Sequence, residues 1–217
     1  MIVTALLGAI LSLLDGTART PRQPASDRDP VLLVHGIADD ARNMERMADY
    51  LRAHGWEVHT LDLTPKWGQA GLEPLAAQVA ARAKDEFGAR KFDLVGFSMG
   101  GLVSRYYMQR LGGIERVGHF VTLSAPHHGT ALARLVPNAG CREMRPGSVF
   151  LRDLERDADQ LTRVKFTSLY TPYDLVILPA KSSRMPQARN IKVAVGSHPG
   201  MVLRKASFRA VAEALGT

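Results

Sequence analysis

The sequence predicts an α/β fold in which helices cover both faces of a mainly parallel sheet of about six strands. Two observations predict it. After Pro30, short apolar runs alternate with longer segments whose apolar residues recur at helical spacing. The first run, Val31-Leu32-Leu33-Val34, is apolar at every position, which is typical of a strand buried on both sides. The length of 217 residues suits one domain with a sizeable core.

The strands and helices alternate along the whole chain. Strands are predicted over residues 31–34, 56–63, 92–96, 118–124, 164–170 and 190–195. Helices are predicted over the apolar stripes 44–51 and 72–87, directly after Ser98, and over 201–215. Asp39 or Asp40 can cap the first helix, and Gly55 and Gly88 end the first two.

One long insertion, residues 127–163, separates two of the predicted strands. Its apolar residues are spaced to form one amphipathic helix: Phe150, Leu151, Leu154 and Leu161. Its acidic residues are interpreted as a solvated face: Asp153, Glu155, Asp157 and Asp159. The insertion is too short for a large cap domain, so residues 31–217 are predicted to form one domain.

The N-terminal segment, residues 1–30, has a different composition. Residues 1–14 are almost entirely apolar, and a polar stretch containing Pro and Arg follows them. The apolar run is too short to span a bilayer as a helix, but it has the length of a signal-peptide core. No Lys or Arg precedes it, although secretory signals normally begin with one. An exported or membrane-associated location and a cytoplasmic one therefore both stay open.

Composition excludes some classes of function. The formal net charge is +7, but the basic residues are scattered and do not alternate with aromatic residues, so nucleic-acid binding is not predicted. Weak attraction to an anionic membrane surface is compatible with this charge. Cys141, the single cysteine, excludes an intrachain disulfide and is interpreted as an ordinary loop thiol. The oligomeric state is left open.

The strongest motif is Gly96-Phe97-Ser98-Met99-Gly100, which fits the pattern G-x-S-x-G between a predicted strand and a predicted helix. In that context the serine occupies a tight turn and its hydroxyl projects above the sheet. Side chains at the two glycines would collide with the flanking strand and helix. Ser98 is therefore the predicted nucleophile.

A serine hydroxyl needs a base to take its proton. In this strand–turn–helix context the acid and then the histidine follow the serine along the chain, each after a later strand. Asp174 follows the fifth predicted strand, and His198 follows the sixth. The competing histidines occur too early in the chain: His54, His59, His127 and His128.

His35-Gly36 marks the loop that would hold the developing oxyanion. We expect the two amide donors to be those of Ile37, on this loop, and Met99, directly after the nucleophile. His35 itself is interpreted as shaping the loop. The substrate pocket is expected to involve five residues near these positions: His35, Gly36, Leu175, Val176 and Met201.

Several segments, in this order, resemble the small bacterial triacylglycerol lipases and their GPI-inositol-deacylase-like relatives. They are VLLVHGI (31–37), GFSMGG (96–101), SAPHHGT (124–130), DLVILP (174–179) and the segment around His198. The resemblance covers Pro30 to the C-terminus. It implies a minimal α/β-hydrolase fold without a large cap domain and hydrolysis of acyl esters, with Ser98, Asp174 and His198 at the positions that the family uses. The insertion departs from the pattern, because its high charge provides no apolar lid.

The predicted activity is cleavage of small-molecule or lipid carboxylic esters through an acyl-enzyme, with neither a metal nor an organic cofactor. Two alternatives stay open. The same three residues could serve an acyltransferase or a thioesterase. The fold could also have lost catalysis and serve as a binding protein.

Overall fold

The computed structural model describes residues 28–216. Within them, six strands form one sheet in the order β2-β1-β3-β4-β5-β6, and every neighbouring pair is parallel. The strands are β1 (Val31–Val34), β2 (Val58–Leu61), β3 (Phe92–Phe97), β4 (Val117–Leu123), β5 (Lys165–Tyr170) and β6 (Arg189–Lys192). The predicted parallel sheet of about six strands is confirmed. Most of the predicted N-terminal segment, residues 1–27, lies outside the described residues.

Seven α-helices are described. They are α1 (Ala41–Ala53), α2 (Glu73–Phe87), α3 (Met99–Arg110), α4 (Ala139–Glu143), α5 (Val149–Glu155), α6 (Gly200–Leu203) and α7 (Lys205–Leu215). Short 3-10 helices occupy Gly113–Glu115, Ala131–Arg134, Ala158–Arg163 and Ala180–Ser183. Asp40 caps α1, accepting a hydrogen bond from the Arg42 amide, as expected. Among the helices of residues 28–216, none is long and apolar enough to cross a membrane.

Different helices cover the two faces of the sheet, and β1 shows why all four of its residues are apolar. Side chains alternate along a strand. Leu32 and Val34 therefore pack toward α2 and α3, whereas Val31 and Leu33 pack toward α1 and α7. All four are fully buried, which stabilises the fold by about 1.5–3 kcal/mol for each side chain relative to exposure.

Four features differ from the prediction. β2 covers only Val58–Leu61 rather than residues 56–63. β6 ends at Lys192 rather than near residue 195, because the Val195 amide donates locally to the Val193 carbonyl and the chain leaves the ladder. The last helix is two helices, since Arg204 between α6 and α7 has an extended backbone. Cys141 lies buried in α4 and not in a loop.

The insertion also differs, because it holds four short helical elements instead of one amphipathic helix. Gly147, at φ +74°, separates α4 from α5, and Asp157 leaves the helical conformation after α5. The apolar residues expected on the single helix are nevertheless buried: Phe150, Leu151, Leu154 and Leu161.

The interpretation of the insertion's acidic residues as a solvated face holds for Glu155 and Asp159, which are exposed, but not for Asp153 and Asp157, which are partly buried. Three of the four pair with arginines of α3. Arg110 Nε donates to Asp153 Oδ2 over 2.8 Å, and its Nη1 donates to Asp157 Oδ2 over 2.6 Å. Glu155 accepts from Arg105, whose side chain is fully buried. The reason is that α3 presents a fully buried arginine, Arg105, and a partly buried one, Arg110, to α5, where cations removed from water need charged or polar partners.

The remaining contacts of Arg105 extend this connection. Its Nε donates to Gln109 Oε1 over 2.9 Å, its Nη1 to the His127 carbonyl over 3.2 Å, and its Nη2 to the Leu154 carbonyl over 3.0 Å. One guanidinium thereby joins α3, which begins directly after Ser98, to α5 and to the segment after β4.

Candidate active site

Ser98 lies between β3 and α3 with backbone angles φ +54° and ψ −123°. A positive φ is uncommon for a residue with a side chain and marks a strained turn. The flanking glycines allow it. A Cβ at Gly100 would lie 2.3 Å from the His35 carbonyl oxygen, and one at Gly96 would lie 2.7 Å from the Gly100 carbonyl oxygen. The predicted strand–turn–helix context of Ser98 is confirmed.

His198 and Asp174 form a buried pair. His198 Nδ1 lies 2.8 Å from Asp174 Oδ2, and Asp174 Oδ1 accepts from the amides of Val176 and Ile177 over 2.9 and 2.8 Å. Burial alone would raise the pKa of the Asp174 carboxyl, but the hydrogen bonds from His198 and Ile177 outweigh it, so the pKa lies below its ordinary value. The carboxylate is therefore ionised at neutral pH.

All three residues lie at the same edge of the sheet. Ser98 follows β3, Asp174 follows β5 and His198 follows β6, and the carboxyl ends of parallel strands meet at one edge. Ser98 and His198 both line one cleft of about 380 Å³. The Phe97 ring packs beside the His198 imidazole with a centroid distance of 4.7 Å. The structure thus brings the predicted nucleophile and base to one cavity, with the acid behind the base.

The expected oxyanion donors lie next to this serine. Ile37 lines the cleft, and Met99 is the first residue of α3. Within residues 28–216, neither of their amides donates to a protein acceptor. Gly36 packs directly against the turn, because a Cβ there would lie 2.9 Å from Ser98 Cβ. Two free amides beside a serine hydroxyl are suited to receive a developing negative charge.

His35 shapes the loop and does not line the cleft. It is fully buried, its Nδ1 donates to the Gly36 carbonyl over 2.7 Å, and its Nε2 accepts from the Leu63 amide over 2.9 Å. The first bond holds the imidazole against its own loop, and the second joins the loop after β1 to the chain beyond β2. The interpretation of His35 as structural agrees with this geometry.

Of the five residues expected in the substrate pocket, Val176 lines the cleft beside Ser98 and the other four do not. His35 and Gly36 lie behind the turn of Ser98 and not in the cleft wall. Met201 is fully buried in the core, and Leu175 is 77% exposed because its turn directs it to solvent. The lining that the sequence did not reveal comprises Ala38, Asp39, Asn43, Phe97, Pro199, Val202 and Leu203.

The missed residues carry little signal in the sequence. Val202 and Leu203 are one and two positions beyond Met201, and only the short α6 decides which of the three reaches the cleft. Asp39 and Asn43 are joined by a side-chain hydrogen bond at the start of α1, where polar residues are ordinary caps.

Among the described residues, no group of His, Cys, Asp and Glu side chains is arranged to hold a metal ion.

His127 lies outside the cleft and is entirely buried, with its Nε2 3.0 Å from Thr122 Oγ1. Burial, and then the nearby positive charge of Arg105, hold its pKa well below the usual 6.5. The folded chain therefore keeps this imidazole neutral at pH values where the unfolded chain protonates it.

This difference predicts a pH-dependent stability. As the pH falls from 7.5 to 5.5, protonation of His127 in the unfolded state should lower the free energy of unfolding by about 1 kcal/mol. Urea denaturation at the two pH values would measure it, with His127→Gln as the comparison. The variant is expected to lose about 1 kcal/mol less over this range. Equal losses in both proteins would contradict the assignment of a neutral, buried imidazole.

The fold and the arrangement of the site define the class of the α/β-hydrolases. The chain belongs to the palmitoyl protein thioesterase family, whose sequence model matches residues 30–173. The match ends one residue before Asp174.

Curated relatives and solved structures agree with this class. Triacylglycerol lipases of Pseudarthrobacter phenanthrenivorans and Burkholderia plantarii are each 32% identical over 122 residues, which is 52% of this chain but only 37% and 33% of theirs. Lysosomal thioesterase PPT2 of Mus musculus is 32% identical over 119 residues, 50% of this chain and 38% of its own. The chain thus spans about a third of the length of these relatives. The predicted resemblance to triacylglycerol lipases is confirmed.

The structural matches show the fold. The mature lipase BlEst2 of Bacillus licheniformis superposes with a TM-score of 0.76 at 20% identity, covering 89% of this chain and 93% of that one. Lipase B of Aspergillus fumigatus superposes with a TM-score of 0.72 at 18% identity, covering 88% and 53%. Together with the six-stranded sheet, they confirm the minimal α/β-hydrolase fold without a large cap domain.

Proposed function

We propose that this chain is a serine hydrolase that cleaves carboxylic esters of acyl chains. One observation carries the proposal: a serine in a strained turn and a histidine hydrogen-bonded to a buried carboxylate line the same cleft. Residues 31–217 would form the catalytic domain. Ser98 is the nucleophile, His198 the general base and acid, and Asp174 the residue that orients the imidazole.

The hydrogen bond to Asp174 engages His198 Nδ1 and leaves Nε2 for the serine. His198 Nε2 takes the proton of Ser98 as Oγ attacks the ester carbonyl. The amides of Ile37 and Met99 hold the oxyanion of the tetrahedral intermediate. His198 then protonates the departing alcohol, which leaves the acyl group on Ser98.

The second half of the cycle repeats these steps with water as the nucleophile. His198 removes a proton from water, the hydroxide attacks the acyl-enzyme, and the carboxylic acid departs as Ser98 regains its proton. Asp174 stabilises the charged imidazole in both halves. No step requires a metal or an organic cofactor.

The cleft favours an acyl group over a polar substrate. Its walls include the apolar side chains of Ile37, Val176, Val202 and Leu203. Burial of methylene groups there would contribute about 0.8 kcal/mol each. The relatives named as lipases and thioesterases support lipid esters as the substrate class. The net charge of +7 supports weak attraction to an anionic membrane surface, where such esters would occur.

A thioesterase is the second candidate, because the family match and the mouse relative both carry that name. The same acyl-enzyme would form, with a thiol in place of an alcohol as the leaving group. Turnover of an octanoyl oxyester and of the matching octanoyl thioester distinguishes the two. A kcat/KM ratio of at least ten in favour of either substrate assigns the leaving group.

The test of the proposed function is hydrolysis of p-nitrophenyl esters of rising acyl length, together with labelling by a fluorophosphonate probe. We expect turnover of short or medium acyl chains, and peptide mass spectrometry should locate the probe on Ser98. Labelling without turnover would overturn the substrate class but keep the nucleophile. Failure of both would indicate that the fold serves binding.

A further inference from the structure

The acid turn, residues 174–178, carries the carboxylate that holds His198. Asp174 Oδ1 accepts from the amides of Val176 and Ile177, so the carboxylate is fixed by its own turn. The position of this turn therefore determines where the carboxylate lies relative to the imidazole. Any movement of residues 176–178 therefore also moves the Asp174 carboxylate.

Thr130 holds the other side of this turn. Its Oγ1 donates to the Val176 carbonyl over 2.7 Å and accepts from the Leu178 amide over 2.9 Å. The next amide, that of Ala131, donates to the Leu178 carbonyl over 2.9 Å. The threonine is only 5% exposed, so water does not readily replace these bonds. Val176 thus donates to Asp174 with its amide and accepts from Thr130 with its carbonyl.

Thr130 is itself held in place. Its amide donates to the Met144 carbonyl over 2.9 Å. The preceding Gly129 has φ +87°, and a Cβ there would lie 2.5 Å from the Pro146 nitrogen. The close contact between the two segments therefore requires glycine at this point. Gly129 and Thr130 are the last two residues of the segment SAPHHGT. They place the threonine hydroxyl between the acid turn and the segment before α5.

We propose that Thr130 is a positioning residue that fixes Asp174 against His198 by holding the acid turn; the inference rests on the proposed function. Thr130 does not line the cleft itself. It contacts the site through the acid turn, where the Val176 carbonyl accepts its hydroxyl hydrogen, and the same Oγ1 also accepts from the Leu132 amide over 3.4 Å. Loss of its hydroxyl leaves the Val176 carbonyl and the Leu178 amide without this partner. The turn then shifts, and the carboxylate moves with it.

The test begins with Thr130→Val, which keeps the shape of the side chain and removes the hydroxyl. We expect kcat to fall by about tenfold to a hundredfold, the usual effect of misplacing a reacting group, with KM changed less than about twofold. The low-field proton resonance of His198 Nδ1 should move upfield or broaden. Thr130→Ser should restore kcat to within about threefold, because serine keeps a hydroxyl that can both donate and accept.

Thr60→Val is the matched control. Thr60 on β2 also donates from its hydroxyl, to Glu45 Oε1 over 2.8 Å, and that bond has no connection to the acid turn. Its loss should leave kcat and the low-field resonance unchanged. If Thr130→Val does not fold, Thr130→Cys supplies a weaker donor, and its kcat should lie between those of the serine variant and the Asp174→Asn variant.

A double-mutant cycle separates positioning from a general structural role. In an Asp174→Asn background, Thr130→Val should lower kcat by less than about twofold, because the residue through which it acts is already lost. A full tenfold loss in that background would overturn the proposal, as would an unchanged resonance in the single variant. If Asp174→Asn itself retains full activity, the assignment of the acid fails, and the role of Thr130 that rests on it fails with it; a loss in Asp174→Asn without one in Thr130→Val overturns the role of Thr130 only.

Discussion

Replacement of Ser98 by alanine is expected to lower kcat/KM for the best acyl ester by on the order of a thousandfold or more. Under the proposed mechanism, the variant removes the atom that would form the acyl-enzyme, and it leaves the turn in place because alanine fits the space of serine. The residual rate would come from binding and from the amides of Ile37 and Met99 acting on water attack. Initial rates at substrate concentrations far below KM measure the loss.

Ser104→Ala is the control for this variant. Ser104 lies on α3, is fully buried, and its hydroxyl has no hydrogen-bond partner within the described chain. Its loss should leave kcat/KM within about twofold of the parent, since no interaction made in the transition state is removed. Near-full activity of Ser98→Ala, with its thermal unfolding unchanged, would refute the proposed nucleophile.

Replacement of Arg105 by methionine is expected to reduce the free energy of unfolding by about 3–5 kcal/mol. The buried guanidinium donates to a side-chain oxygen of Gln109 and to the carbonyls of His127 and Leu154. Methionine fills much of the volume but supplies no donor, so these buried acceptors lose a partner. Chemical denaturation monitored by circular dichroism measures the loss.

Arg156→Met provides the comparison. Arg156 bonds to Asp153 at the surface, and its side chain is 75% exposed. Such a pair contributes less than about 1 kcal/mol, so the variant should unfold near the parent midpoint. Equal midpoints for the two variants would contradict the role of Arg105 as the buried junction of α3 and α5.

The backbone geometry of the nucleophile turn is what the sequence reveals most directly. Gly96 and Gly100 are required by carbonyl groups less than 3 Å from where a Cβ would lie, so the constraint is local and visible as a motif. The sequence predicts β1 equally directly, because burial on both faces of the sheet requires an apolar residue at each position. Chain order then places Asp174 and His198 at the correct sheet edge.

Long-range partners are what the sequence could not reveal. The sequence predicts Asp153 and Asp157 to face solvent, because Arg110, which binds both, lies more than 40 residues earlier in the chain. The choice among residues 201–203 for the cleft depends on the break at Arg204, which has no glycine or proline to signal it. The hydrogen bonds of Thr130 likewise depend on two loops that meet only in the folded chain.

The separation of the three site residues along the chain affects how the protein is made. During synthesis, β3 and Ser98 emerge from the ribosome first, then β4 and β5, and only afterwards β6 and His198. Under the proposed mechanism, a nascent or prematurely ended chain that stops at β5 holds a nucleophile without its base. Under that mechanism, full ester hydrolysis therefore requires the last strand of the sheet and the loop that follows it.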